Sequence, residues 1–436
     1  MEISKNTSNS HFQRGKIDKK LIIIYLIIFT EVLGFSMVIP VLPFLGLSLG
    51  LDYIQIGLVS SVFSISQLIS SPIFGKLSDR YGRKPILLIS QTSTLIGFVL
   101  LGLANSVWFL VLARLVDGLL GSNMTVSQAY ISDVTDEESR TKAYGQSSAV
   151  FGAGLIFGPL IGGLLSPEGY GPLLEGLLPP VAYAAPMFLA AGISFLSIVL
   201  VILILPESLV DKKDRFNVEL SDILPVQDMK KFFQNPQIRG KILLYFIYNI
   251  GFMIFISSFP LFAKEQISIQ AREVGFYMTW IGILRVVLQA LAINPLIKKL
   301  GEDIILKIGT IALISCMAIL SFSRDYLFGF VPLAFLAFGT GVCRPIFTSK
   351  LSKSVEKKET GSLFGVNNAL VSIGQIITPI AGGILLQNMP AYALTIVSGF
   401  FFSLILILWR YGFGFSSSSK ETYEMNQKTD NINISN

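Results

Sequence analysis

Unbroken apolar stretches about twenty residues long recur twelve times along these 436 residues, and no other feature restricts the fold as tightly. A helix of about 20 residues crosses a hydrocarbon core of about 30 Å. Within that core a main-chain polar group finds no water, so each stretch must be a helix that satisfies its own amides. The spans fall near 20–45, 55–75, 85–104, 107–130, 143–165, 182–205, 240–263, 273–296, 304–322, 326–349, 360–386 and 391–411. Only 14% of the residues are charged and 52% are hydrophobic, which leaves too few charges to cover soluble domains of this length. A cytosolic enzyme and a disordered chain are excluded. The expected fold is all-α and integral to a membrane.

Lysine and arginine set the orientation. The first span follows a basic tail (Arg14, Lys16, Lys19, Lys20) but is too long for a signal-peptide core and lacks a cleavage site. With the N-terminus inside, the cytoplasmic segments hold 28 of the 34 basic residues, and the outside loops hold only Lys264, Arg272 and Arg324. Both termini are therefore expected in the cytoplasm, on a multi-pass protein of the cell membrane. The net charge of +6 lies between apolar runs, so it reads as membrane topology and not as nucleic-acid binding. The division expected is a tail (1–19), a six-helix bundle (20–205), a central loop (206–239), a second bundle (240–411) and a tail (412–436). The stretches 1–16 and 414–436 have the composition of disordered tails, and a Gly/Pro-rich outer loop covers 166–180.

Several chemistries have no residues to carry them. Cys316 and Cys343 sit inside apolar runs, and the single histidine, His11, lies in the polar tail, so no disulfide framework, metal site or histidine triad is expected. No G-x-x-x-x-G-K-[ST] string is present, so ATP is not expected to drive the protein directly. Neither a cofactor nor enzymatic activity is expected.

A shift of 220 residues aligns the two halves. Gly121, Gly145, Ala149, Gly154 and Pro159 then meet Gly341, Gly365, Ala369, Gly374 and Pro379, and Gly162-Gly163 meets Gly382-Gly383. Small residues are common wherever membrane helices pack closely. A series at one shift of half the chain points instead to duplication, a property of secondary transporters that rock one half against the other.

After the second span comes Gly75-Lys76-Leu77-Ser78-Asp79-Arg80-Tyr81-Gly82-Arg83-Lys84, which closely resembles the G-x-L-[SA]-D-R-x-G-R-[KR] loop of the major facilitator superfamily. A decayed copy, Asn294 to Asp303, stands at the matching place in the second half. Arg114-Leu115-Val116-Asp117-Gly118 in span four is similar to the family's R-x-x-x-G motif, and Pro206-Glu207-Ser208 also resembles the family. In span five, Gly154, Gly158, Pro159, Gly162 and Gly163 form a run similar to that of the superfamily's proton-driven antiporters. Glu31, nine residues before Pro40-Val41-Leu42-Pro43, and the run Gln128 to Asp136 are similar to tetracycline-efflux-like drug:proton antiporters. There are departures: Arg285 stands where tetracycline-type members carry histidine, and their span-nine acid is missing. Arginine does not release a proton at working pH, so the resemblance carries the antiporter class and stops short of tetracycline.

The resemblance implies a major facilitator fold of twelve helices in two six-helix bundles with pseudo-two-fold symmetry. Its partners would be the bilayer, protons and a small amphipathic or drug-like substrate, with no nucleic acid, and the working unit a monomer. A metabolite or sugar porter on the same fold, or a transport-inactive receptor or scaffold, are the competing readings.

Five charges lie within spans: Glu31, Arg114, Asp117, Arg285 and Arg344. Each costs about 2.5–3.5 kcal/mol at the midplane on insertion scales, so function is the default explanation. Glu31, Arg114, Asp117 and Arg285 are the expected proton-coupling and substrate residues, although Arg114 and Asp117 could also be a structural i,i+3 pair. Arg344, six residues before Lys350, reads as a helix-end anchor able to snorkel. Gly75, Asp79, Arg80, Gly82, Arg83 and Asp133 are expected at the cytoplasmic rim, where ion pairs latch the halves in one state. Glycines 154, 158 and 162 give span five a side-chain-free face, expected to lie against the other bundle.

Overall fold

The computed structural model describes residues 19–167, 183–209, 223–356 and 359–411, and every regular element among them is a helix. The first half holds α1 (Lys19–Ser48), α2 (Tyr53–Tyr81), α3 (Arg83–Gly102), α4 (Val107–Leu120), α5 (Asn123–Val134), α6 (Glu137–Leu164) and α7 (Ala184–Leu203). The second holds α8 (Val226–Gln234), α9 (Pro236–Ile267), α10 (Ala271–Val287), α11 (Ile293–Leu300), α12 (Glu302–Phe322), α13 (Tyr326–Ser352), α14 (Thr360–Asn388) and α15 (Tyr392–Arg410). Helices α4 and α5 share one crossing, as do α10 and α11, so the described residues give twelve segments long and apolar enough to span a membrane. The two tails and most of the 166–180 loop lie outside the described residues. The stretch 206–239 is not loop throughout: α8 and the first turn of α9 fall within it.

Two crossings are irregular. Between α4 and α5 the chain breaks at Gly121-Ser122, where a Cβ on Gly121 would lie 2.1 Å from the Asp117 carbonyl oxygen. The amide freed at Ser122 donates to the Ser90 hydroxyl on α3 at 2.6 Å, which is how a break inside a membrane is tolerated. Between α10 and α11 lies a π-helical turn, Leu288–Ala292.

Within the first half α1 packs on α6 and α7, α2 on α4, and α3 on α4 and α7. In the second, α9 packs on α14 and α15, α12 on α13 and α15, and α10 on α13. The halves meet mainly where α2 crosses α14 and where α6 crosses α10. The end carrying the Gly75–Lys84 loop is called here the basic end.

Contacts that join the halves cluster toward the opposite end. The Tyr53 hydroxyl donates to Glu265, its amide to Gln387 Oε1 at 3.1 Å, and the Ser61 hydroxyl to the Ile376 carbonyl at 2.7 Å. The Thr279 hydroxyl reaches the Ile156 carbonyl at 3.3 Å. Backbones touch directly there. A Cβ on Gly57 would lie 2.4 Å from the Pro379 carbonyl oxygen, and one on Gly383 2.4 Å from that of Tyr53. The mirror contacts are Gly275 to the Pro159 carbonyl oxygen at 2.4 Å and Gly163 to that of Arg272 at 2.9 Å. Pro159 and Gly163 are the repeat partners of Pro379 and Gly383, so the seal obeys the pseudo-two-fold axis. Toward the basic end the matched pair Gly145 and Gly365 would meet nothing within 4 Å even with a Cβ added. The halves therefore close at one end and part toward the other.

Candidate functional site

The wall of the parted region on the first half is built on α1. Glu31 is half-buried, and Phe35, one turn on and on the same face, is 44% exposed, although most of α1 is buried. Behind Glu31 lies a polar chain. Asn123 Nδ2, at the first position of α5, donates to Glu31 Oε2 at 2.7 Å and approaches the Thr94 hydroxyl of α3 at 3.3 Å. Thr94 in turn lies close to the Asp117 carboxylate, and Asp117 stands 3.5 Å from Arg114 Nη2, one turn back on α4. The break at Gly121-Ser122 places Asn123 between the two acids, out of register with α4.

This cluster is incompletely bonded. Arg114 is 3% exposed, yet its Nε and Nη2 find no hydrogen-bond partner among the described residues, and its guanidinium lies 5.4 Å from the centre of the Phe63 ring. Asn123 Oδ1 and both polar atoms of Gln91 are likewise buried and unmatched. Buried polar groups are rarely left without a protein partner, which sets this cluster apart from the packed core around it.

The structure thus brings Glu31, Arg114 and Asp117 together and leaves Arg285 in the other half, on α10. Arg114 pairs with Asp117 and not with Glu31. Asn123, Thr94 and Gln91 escape a search for charge because they carry none. Among the aromatic residues, Phe35 faces the parted region, Tyr248 is buried, and the Trp280 indole donates to the Phe330 carbonyl at 3.1 Å.

At the basic end Arg83 is the hub. Its Nη1 lies 2.6 Å from Asp79 and donates to the Ser78 hydroxyl at 2.6 Å, and its Nε donates to Asp133 at 2.9 Å. The Glu207 carboxylate accepts from the amides of Arg83 and Lys84 at 2.7 and 3.1 Å, capping the start of α3. Gly82, with φ of 110°, occupies a backbone region closed to other residues, and a Cβ there would strike Glu207. Gly75 lies at a helix contact, its Cβ position 3.6 Å from Thr125. Arg80 makes no ion pair among the described residues and rests over Tyr81. Among the described residues the network binds α2, α3, α5 and the Pro206–Ser208 strap, all within one half.

The glycine face of α6 differs from expectation in the same way. Cβ atoms on Gly154, Gly158 and Gly162 would strike Val32, Ser36 and Met37 of α1, inside the first half. The neighbouring face, Pro159 and Gly163, is the one that meets α10 of the second half. Periodicity identifies a smooth face but not its partner. Gly158→Ala is therefore expected to destabilise the first half by about 1–3 kcal/mol, read as a lower melting temperature, because a methyl would lie 2.7 Å from the Leu33 carbonyl oxygen. Gly145→Ala, with open space around it, should melt like the parent.

The family model for the Major Facilitator Superfamily matches residues 24–245 and, a second time, 241–425. The chain is 28% identical over 408 residues to the tetracycline resistance protein, class H, of Pasteurella multocida, covering 90% of this chain and 96% of that one. It is 28% identical over 378 residues to multidrug resistance protein 2 of Bacillus subtilis (strain 168), covering 84% and 89%. Among solved structures, the nucleoside transporter NupG shares the fold with a TM-score of 0.68 at 15% identity, over 91% of this chain and 100% of that one.

Proposed function

Since the chain belongs to the Major Facilitator Superfamily, and so is a membrane transporter and not an enzyme, we propose that it exports small amphipathic compounds in exchange for protons. The observation that carries the reading is Glu31: a carboxylate on the wall of the parted region, backed by the Asn123–Thr94–Asp117 chain. Its relatives named for tetracycline and multidrug resistance support the export direction.

In this reading the basic end faces the cytoplasm, so the conformation described is open inward. Substrate enters between the halves, and Glu31 gives its proton to the cytoplasm as the substrate takes its place. The opposite end then opens, substrate leaves, and Glu31 takes a proton from outside. Burial disfavours a charged carboxylate and water or a cation favours it, so each change of exposure moves the proton in step with the substrate. Asp117, held by Arg114, is the second acid of the relay, and the Arg83 network moves the first half as one piece.

Two experiments test this. Overexpression in a strain lacking its own exporters should raise tolerance to a subset of toxic amphipathic compounds. Purified protein in proteoliposomes under a pH gradient should then release protons when those compounds are added. Proton movement driven by a metabolite or sugar, with no tolerance gained, would move the reading to a proton-coupled metabolite or sugar porter, and neither effect would favour a receptor or scaffold. A cysteine placed in the Gly75–Lys84 loop, shielded from impermeant maleimide in intact cells, would support the orientation. Cys316 and Cys343 are buried and give no background.

A further inference from the structure

The wall opposite Glu31 carries the reverse chemistry. On α10, Arg285 shares its face with the buried Val274 and Met278, and the exposed Ile283 and Val287 lie on the other side of the helix. On α13, Arg344 shares its face with the buried Ala337 and Thr340, while Val331 and Phe335 project on the far side at 50% and 40% exposure. Both arginines therefore point into the bundle and not to lipid. Arg344 is exposed on a face otherwise buried, so it opens onto the space between the halves. It lies eight residues before the end of α13, and its place is this inner wall, not the helix-end anchor its distance from Lys350 suggests.

The two are neighbours. A Cβ on Gly341, one turn before Arg344, would lie 3.6 Å from Arg285 Cγ, and each guanidinium falls within electrostatic range of the other and of Tyr248. Among the described residues neither arginine makes an ion pair or a side-chain hydrogen bond, and the Tyr248 hydroxyl makes none either. Tyr248 is fixed by ring contacts with Tyr245, Phe252, Phe347 and Phe402. The π-helical turn begins three residues after Arg285, an irregularity frequent at functional sites. Two like charges side by side in a membrane-embedded wall repel, and no acidic side chain among the described residues pairs with them. Arginine is donor-only, with a planar fork matched to carboxylate, sulfonate and phosphate.

We propose that Arg285 and Arg344, with Tyr248, form a binding site for an anionic group, so that the transported compounds are organic anions or zwitterions with an aromatic or apolar body. Calling this ligand a substrate rests on the export reading; the site itself does not. The apolar body lies along Phe35 and Phe63, whose rings are 6.0 Å apart on the other wall, and the anion faces the arginines.

Two xanthene dyes of similar ring size and opposite charge provide the test, carboxyfluorescein and rhodamine 123, by fluorescence polarisation in phosphatidylcholine nanodiscs. Carboxyfluorescein should bind saturably, and Arg285→Gln and Arg344→Gln should each weaken it at least tenfold, with Arg285→Lys retaining part of the affinity. Rhodamine 123 should be no weaker in either glutamine variant. Absence of saturable carboxyfluorescein binding, or equal affinity in parent and both variants, overturns the proposal. So does equal weakening of both dyes, which signals general damage to the wall. A lipid headgroup as the true occupant would show as dye binding that falls with added phosphatidylglycerol in the parent but not in the variants, and would overturn the substrate assignment. Intact dye binding without proton-driven dye transport in proteoliposomes would instead reject the export reading and leave the anion site standing.

Discussion

Replacing Glu31 with glutamine will reduce substrate-induced proton movement to background while leaving the protein folded and able to bind. Glutamine keeps the shape, and its carbonyl can still accept the Asn123 amide that now bonds Glu31 Oε2 at 2.7 Å. What it loses is titration. A relay that passes through Glu31 then has no group at the wall to load or unload, and uphill export stops while downhill exchange of substrate continues. An anionic dye should bind at least as well, since a negative charge has been removed. The measurement is pH-dye fluorescence in proteoliposomes on adding an accepted substrate. A signal equal to the parent's would transfer the carrier role to Asp117, and Asp117→Asn would then be the variant that silences it.

Gly57→Val will drive the population toward the conformation open at the end now closed. The new Cβ would stand 2.4 Å from the Pro379 carbonyl oxygen and 2.8 Å from its carbon, both main-chain atoms with no rotamer to yield. Separation of the halves is the only relief. Overpacking of this kind costs about 1–3 kcal/mol, and each ~1.4 kcal/mol is tenfold, so the ratio of the two states should move by roughly ten- to a hundredfold. Spin labels at the tips of the two halves should show longer distances at the closed end and shorter ones at the basic end. Gly383→Ala, at 2.4 Å from the Tyr53 carbonyl oxygen, should act in the same direction, and Gly365→Ala, facing open space, should not. Unchanged distances in Gly57→Val would mean that the seal gives way locally and does not govern the switch.

The twelve crossings were legible because hydrocarbon leaves the backbone no choice: an apolar run of that length must be helical. The halves were legible because Pro159/Pro379 and Gly163/Gly383 hold their spacing. Other features were hidden for definite reasons. Nothing in Leu120-Gly121-Ser122 distinguishes a break from a packed glycine, since the amide it frees is satisfied by Ser90 from another helix. Asn123, Thr94 and Gln91 are unremarkable as residue types and matter only through what they touch. The face on which Arg344 falls was hidden because counting from Lys350 measures distance along the chain, whereas α13 continues to Ser352. Arg83 pairs with Asp79 and Asp133, but a sequence motif does not say whether an ion pair joins two halves or braces one.

The closed end has a consequence for how such a protein can change over generations. Four of its contacts are glycine against main-chain carbonyl, at Gly57, Gly163, Gly275 and Gly383, and these four depend little on the chemistry of neighbouring side chains. These glycines and the residues proposed to meet the cargo are different positions, even on α10, which carries both Gly275 and Arg285. In the proposed reading, mutations on the walls around Phe35, Arg285 or Arg344 alter what is carried without touching these glycine contacts. Drift at the four glycines is nearly forbidden, while drift between the halves is almost free, and a lineage built this way can acquire new cargoes by single steps.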